Sequence, residues 1–238
     1  MAKMGGRKQI KRYSMPPVMR LPVKSSKWLT KPIPGPHPVD KSIPLRIIVR
    51  DYLKLAGTAK EADRIIFSGK VIVDGVVRRD PRFPVGFMDI LEIPDINKTY
   101  RVFIDELGRL KLLETNKEEA GKKLCKVVKK QCVRGGKIQL TMHDGRNIVG
   151  DLKDIGIGDV IQLSVPDGEL LKHIPLSENK LAVVTDGQHT GKIGRIEEIK
   201  KETKTVRLST NGEKIETSVN YVFVLGDEKP LVDVGVAA

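Results

Sequence analysis

Cysteine, aromatic residues and long apolar runs are all scarce in this chain. Cys125 and Cys132 are its two cysteines, too few for a disulfide framework in 238 residues, which points to a reducing compartment. Aromatics make up 4 % of the sequence, which counts against a carbohydrate site or a base-stacking platform as the main device. No window approaches the roughly 18–20 uninterrupted apolar residues of a membrane span, so no membrane partner is expected. The first residues carry charge and no apolar h-region, so no secretory signal is expected, and prolines break the amphipathic pattern of a transit peptide. Acidic residues are nearly missing from one stretch. Residues 1–41 hold ten Lys/Arg (Lys3, Arg7, Lys8, Lys11, Arg12, Arg20, Lys24, Lys27, Lys31, Lys41) against Asp40 alone, so +9 of the net +13 sits there.

That arm also holds seven of the fourteen prolines, with Trp28 and Tyr13 as its aromatics. It has too little apolar surface to offset the entropy of ordering itself, so on its own it is expected to be disordered. A Pro-stiffened basic arm on a nearly balanced body suits a polyanion, and nucleic acid leads among the candidate partners. Trp28 either stacks on an unpaired base or packs on the body.

From Ser42 the pattern changes. Leu45, Ile48, Val49, Tyr52, Leu53 and Leu55 recur at helical spacing, and Gly57 is expected to stop the helix. Thr58 reads as an N-cap with Glu61 completing a capping box, and Gly69 as the C-cap of the second helix. Asp74-Gly75 between β-branched pairs predicts a hairpin, because a type I′ turn needs two residues tolerant of positive φ. A further strand is expected near Asp89–Ile93. Arg46, Arg50 and Lys54 repeat every four residues and so are expected to share a helical face, as do Lys60 and Arg64. Lys70, Arg78 and Arg79 flank the hairpin. These eight cations form a candidate binding surface, although local ion pairs to Asp51 and Glu61 are an equally simple reading of any one of them.

Residues 106–174 read as short strands punctuated by Gly108-Arg109, Gly135-Gly136, Asp144-Gly145 and Asp167-Gly168, a pattern of a small barrel or curled sheet. Lysines interleave with apolar residues from Lys122 to Arg134. From Leu181 three strands follow, with Gly191 and Gly194 marking a tight approach or positive φ.

Ser68-Gly69-Lys70-Val71-x-Val73-Asp74-Gly75 after a basic helix resembles the S-four RNA-binding domain, which is shared by several RNA-binding families. Gly191-Lys192-x-Gly194-Arg195-Ile196 resembles a KOW motif, whose loop would be formed by Gly191, Lys192, Gly194 and Arg195. The order of arm, S-four domain, strand domain and KOW element resembles the small-subunit ribosomal protein S-four-e family, as do Gly86-Phe87-Met88-Asp89, Lys123-Leu124-Cys125-Lys126-Val127, His143-Asp144-x-Arg146 and Val222-Phe223-Val224-Leu225-Gly226. The sequence stops at Ala238 without the basic tail of the eukaryotic type, which points to the archaeal type.

The resemblance implies an α+β, multidomain chain. Its parts are a basic extended arm (1–41), an S-four-type domain (42–105), a central β domain (106–174) and an SH3-like KOW barrel with a C-terminal strand (175–238). It implies a cytoplasmic structural constituent of the small subunit that binds 16S rRNA and neighbouring proteins, with no small-molecule substrate and no homo-oligomer. A non-ribosomal RNA-binding regulator with a protein-binding KOW barrel is the alternative. An enzyme is not expected. The cysteines lie seven apart, unlike zinc pairs, and nothing in the spacing joins them to His143 and His173, so neither metal nor cofactor is expected. The Gly187–Gly194 stretch lacks the Ser/Thr and helix of a phosphate loop.

Overall fold

Local sequence signals give the first elements directly. The computed structural model describes residues 6–200, 202–210, 213–227 and 229–232, without the side chains of 117 and 118. Helix α2 (Ala59–Phe67) opens with the expected capping box: Glu61 N–H donates to Thr58 Oγ1 at 3.3 Å, and Thr58 N–H returns a bond to Glu61 Oε2 at 3.3 Å. The strands Ile72–Val73 and Val76–Val77 meet through Asp74 (φ 50°) and Gly75 (φ 70°), the positive-φ pair that the turn requires.

Helix α1 departs from expectation. It spans Leu45–Ile47, continues as a π-helix over Ile48–Tyr52, and stops at Leu53 instead of running to Gly57. Three consecutive residues, Ile47, Ile48 and Val49, are fully buried, more than one face of a regular α-helix supplies. The wider turn accommodates them, and Lys54 then leaves the helix in a left-handed conformation (φ 54°).

The chain is mostly β, with few helices. Among the described residues, three antiparallel five-stranded sheets carry it. The first runs Val76–Val77, Ile72–Val73, Ile90–Ile93, Lys98–Ile104, Leu110–Thr115 in spatial order. The boundary expected at residue 105 falls inside this sheet, because Leu110–Thr115 pairs with Thr99–Ile104. The second runs Asn147–Gly150, Ile138–Met142, Lys122–Cys132, Val160–Ser164, Leu170–Ile174. Its long strand Lys122–Cys132 shifts register between Val127 and Lys129. The third runs Glu213–Ser218, Thr205–Thr210, Ile193–Lys200, Leu181–Val184, Val222–Gly226.

One apolar core joins the first and third sheets to both helices, and a smaller one around Val127, Leu140, Met142 and Ile161 lies under the second. Gly191 (φ 82°) is part of that joining: a Cβ there would overlap the Asp105 carbonyl, so the third sheet's loop rests on the first sheet's turn.

The arm is the main correction. Residues 6–41 are ordered against the body. Gln9–Lys11 pairs with Trp28–Thr30, and Met19 and Leu29 are buried in the main core. Leu110 N–H donates to Val18 O at 2.9 Å, Ile33 N–H to Arg82 O at 3.0 Å, and Arg20 N–H to the Tyr52 hydroxyl at 2.8 Å. The arm has no core of its own; it shares that of the first sheet, which composition cannot reveal.

Candidate nucleic-acid interface

Basic side chains of the arm and the two helices fall into two groups. Lys3 lies outside the described residues. Arg7, Lys8, Lys24 and Lys27 are exposed, Lys31 is half-buried, and Arg20 is exposed beyond its backbone bond to Tyr52. Lys11 holds its ammonium 5.9 Å from the Trp28 ring centroid, and Trp28 stays 49 % exposed with one face of its indole so covered. Arg12, by contrast, donates its guanidinium to the Leu21 and Pro22 carbonyls and staples the arm to itself.

Arg46, Arg50 and Lys54 do not form the expected common row. Arg46 grips Asp63 with both Nε (2.6 Å) and Nη2 (2.8 Å) and gives Nη1 to Thr30 Oγ1 at 3.0 Å. Arg50 folds onto Asp51 at 2.8 Å, and Lys54 sits beyond the helix end. The Thr30–Arg46–Asp63 chain of bonds instead sets the arm hairpin, α1 and α2 side by side. Lys60 and Arg64 are exposed on α2, as expected from their spacing. Arg79 is exposed with its guanidinium over Gly69 at the end of α2, so helix and hairpin cations adjoin. Lys70 pairs with Asp95 at 2.6 Å, and Arg78 stacks 4.5 Å over the Phe83 ring. In the third sheet, Gly191 and Gly194 are buried, Lys192 reaches Glu213 at 3.4 Å, and Arg195 is exposed.

Sequence reasoning misses two features. The first is an exposed basic hairpin in the second sheet, with Lys129, Arg134 and Lys137. Its signal is the alternation of lysines with apolar residues. The second is a buried ionic joint. The Lys123 ammonium, 1 % exposed, lies 2.6 Å from Asp74, 2.6 Å from Asp89 and 3.0 Å from Asp144. Arg146 reaches Asp74 at 3.0 Å and Asp144 at 3.3 Å, and the arm's His37 reaches Asp89 at 3.0 Å. Backbone N–H groups complete it: Gly86 donates to Asp89 at 2.8 Å and Ile90 to Asp74 at 3.0 Å. Four of the stretches that carry the family likeness meet here. Phe87 and Phe223 pack edge to face at 5.0 Å, and the Lys126 ammonium donates to the Val219, Asn220 and Val222 carbonyls at 3.1, 2.8 and 2.6 Å.

Charge states follow from this crowding. Burial alone would push the Asp89 carboxyl up, but the Lys123 ammonium and His37 reverse this and hold it below the usual carboxylate range. Asp144 is likewise held down, burial being outweighed by Lys123 and His143. Burial would also strip Lys123 of its proton; Asp89 and Asp74 reverse that and hold its pKa well above the ordinary value. Burial, then the Asp89 charge, raises Asp74, which is therefore the first of the three carboxylates to take a proton. Burial, then Lys123, pulls His143 down to about 4, so its imidazole is neutral at pH 7.

Cys125, His143 and Asp144 bring possible ligand atoms within 4.8 Å of one another. The positive charge there is already supplied by Lys123, and both His143 nitrogens are engaged, with the Lys126 N–H at 3.2 Å and the Phe87 carbonyl at 3.3 Å. Cys132 lies seven residues further along its strand, about 23 Å at ~3.3 Å per residue. Lys123 and these hydrogen bonds already engage Asp144 and both imidazole nitrogens.

An S4 domain model matches residues 45–91, and the model described as ribosomal family S4e matches residues 96–170. The small ribosomal subunit protein eS4 of Methanothermobacter thermautotrophicus is 45 % identical over 237 residues, covering 98 % of both chains. The chain belongs to the eS4 family. Its relative of that name from Methanocaldococcus jannaschii is 43 % identical over 98 % of this chain and 99 % of its own. The crystal structure of the 30S ribosomal protein S4e from Thermoplasma acidophilum superposes with a TM-score of 0.70 at 39 % identity, covering 79 % of this chain and 96 % of that one. The family model covering residues 96–170 takes in the Lys123–Asp144–Arg146 part of the joint, and the S4 model takes in Asp74 and Asp89.

Proposed function

We propose that this chain is a structural, non-enzymatic constituent of the small ribosomal subunit that binds 16S rRNA in the cytoplasm, without forming homo-oligomers. The observation that carries the reading is the full-length identity to small-subunit eS4 proteins, beside a surface where α2, the hairpin and the arm bring exposed cations together. Binding proceeds by phosphate neutralisation with counterion release and by the shape of folded RNA. Lys60, Arg64 and Arg79, with Lys11, Trp28 and the exposed arm lysines, form the contact face. Arg46 and Arg50 support it from behind through their carboxylates. The third sheet acts as the KOW-type barrel, with Arg195 as its outward cation and Gly191 as its anchor to the first sheet. No observation favours the regulator alternative.

Sedimentation of native lysate through a high-salt sucrose gradient tests the reading. The chain is expected with the small subunit after loosely held factors are stripped; migration to the top of the gradient, or with polymerase, refutes it.

A further inference from the structure

An open groove of about 1000 Å³ lies where the arm, the first sheet's 105–108 turn, the second sheet and the third sheet's 185–190 loop meet. Its floor is aromatic: Phe87, Phe223 and the neutral His143 pack within 5.0–6.3 Å of one another. Three aliphatic side chains from separate segments stand exposed at its rim, Leu107 (71 %), Val128 (55 %) and Ile157 (63 %). Apolar side chains gathered this way on a charged surface mark a protein-docking site.

The charges at the groove decide what kind of protein. Both lining lysines are already committed, Lys41 to Asp186 at 2.7 Å and Lys126 to three backbone carbonyls. Asp40 and Glu106 are exposed and have no cationic partner among the described residues. A chain of net charge +13 thus keeps an apolar groove edged by unpaired carboxylates. Phosphate is repelled there; lysine and arginine are attracted.

We infer that this groove receives a basic extension of a neighbouring small-subunit protein, seating an aliphatic or aromatic side chain on the Phe87–Phe223 floor with flanking Lys or Arg against Asp40 and Glu106. The inference rests on the small-subunit reading above. It is tested in salt-washed small subunits carrying the full-length chain with Leu107 replaced by p-benzoylphenylalanine, a probe on the rim. After irradiation, the adduct is expected on a peptide of another protein with Lys or Arg within two residues of the attached site. Reversing the exposed pair, Asp40→Lys with Glu106→Lys, should lower the yield by about fivefold, as two rim charges would. Lys98→Gln, which does not line the groove and pairs with Glu114, should leave it unchanged. Adducts on rRNA alone, on a peptide without cations, or no adduct overturn the inference, as does a yield indifferent to the reversal. Retention in the subunit with any of those results refutes the groove alone. Loss of the unsubstituted chain from the subunit takes down both readings.

Discussion

Replacing Lys123 with methionine keeps the length of the side chain and removes the one ammonium that touches three buried carboxylates. Removing one partner of a buried ion pair costs about 3–5 kcal/mol, chiefly because the other charge stays behind in a poor solvent. Arg146 still reaches Asp74 and Asp144, and His37 still reaches Asp89, so complete loss of compensation is avoided. The expected cost at pH 7 is about 4 kcal/mol, a large share of the ~5–15 kcal/mol that a domain has in total. Urea unfolding followed by circular dichroism should show the midpoint falling by about 2 M for a slope near 2 kcal/mol/M. The pH dependence supplies a second reading. Without the ammonium, the folded-state pKa values of these aspartates rise above their unfolded values. The variant's folded state then binds extra protons, and its deficit relative to the unaltered chain should shrink as pH falls from 7 towards 4. Adding Asp89→Asn to Lys123→Met should recover part of the loss. A cost under 1 kcal/mol, or one independent of pH, would refute the account of the joint.

Acid should also act through His143. Its folded pKa of about 4 lies below the ordinary 6.5, so on acidification the unfolded chain takes the proton first; stability is full above pH 6.5 and falls by up to about 3 kcal/mol by pH 4. His143→Gln should flatten that part of the curve, and an unchanged slope would exclude the histidine as its source. On the RNA side, neutralising Lys60, Arg64 and Arg79 together should reduce the slope of log affinity against log salt by about 0.7–0.9 per lost phosphate contact. Arg46→Gln should instead lower the melting temperature, since its guanidinium holds Asp63 and Thr30. Equal salt slopes before and after the triple change would remove α2 from the interface.

Signals that act within a few residues are legible in the sequence itself. The Thr58–Glu61 box and the Asp74-Gly75 turn are set by local geometry, and both stand where the residues place them. Gly191 reads as a point of close approach, and it meets the Asp105 backbone. Failures arise where distant parts decide. The end of α1 depends on how Ile47, Ile48 and Val49 must all be buried, which periodicity alone does not encode. The arm reads as disordered by composition because the core that receives Met19 and Leu29 is supplied by residues far along the chain. The joint is the clearest case. Its motifs are visible as likenesses, yet Lys123 looks like one more surface lysine until Asp74, Asp89 and Asp144 are brought to it.

That joint also constrains the order in which the molecule can be completed during synthesis. Asp74 precedes its ammonium partner by 49 residues. At ~5–20 residues per second, roughly 2–10 s pass between the two leaving the peptidyl-transferase centre. Through that interval Asp74, and then Asp89, have no Lys123 ammonium to set against them. The joint therefore cannot close until the strand bearing Lys123 has cleared the exit tunnel as well.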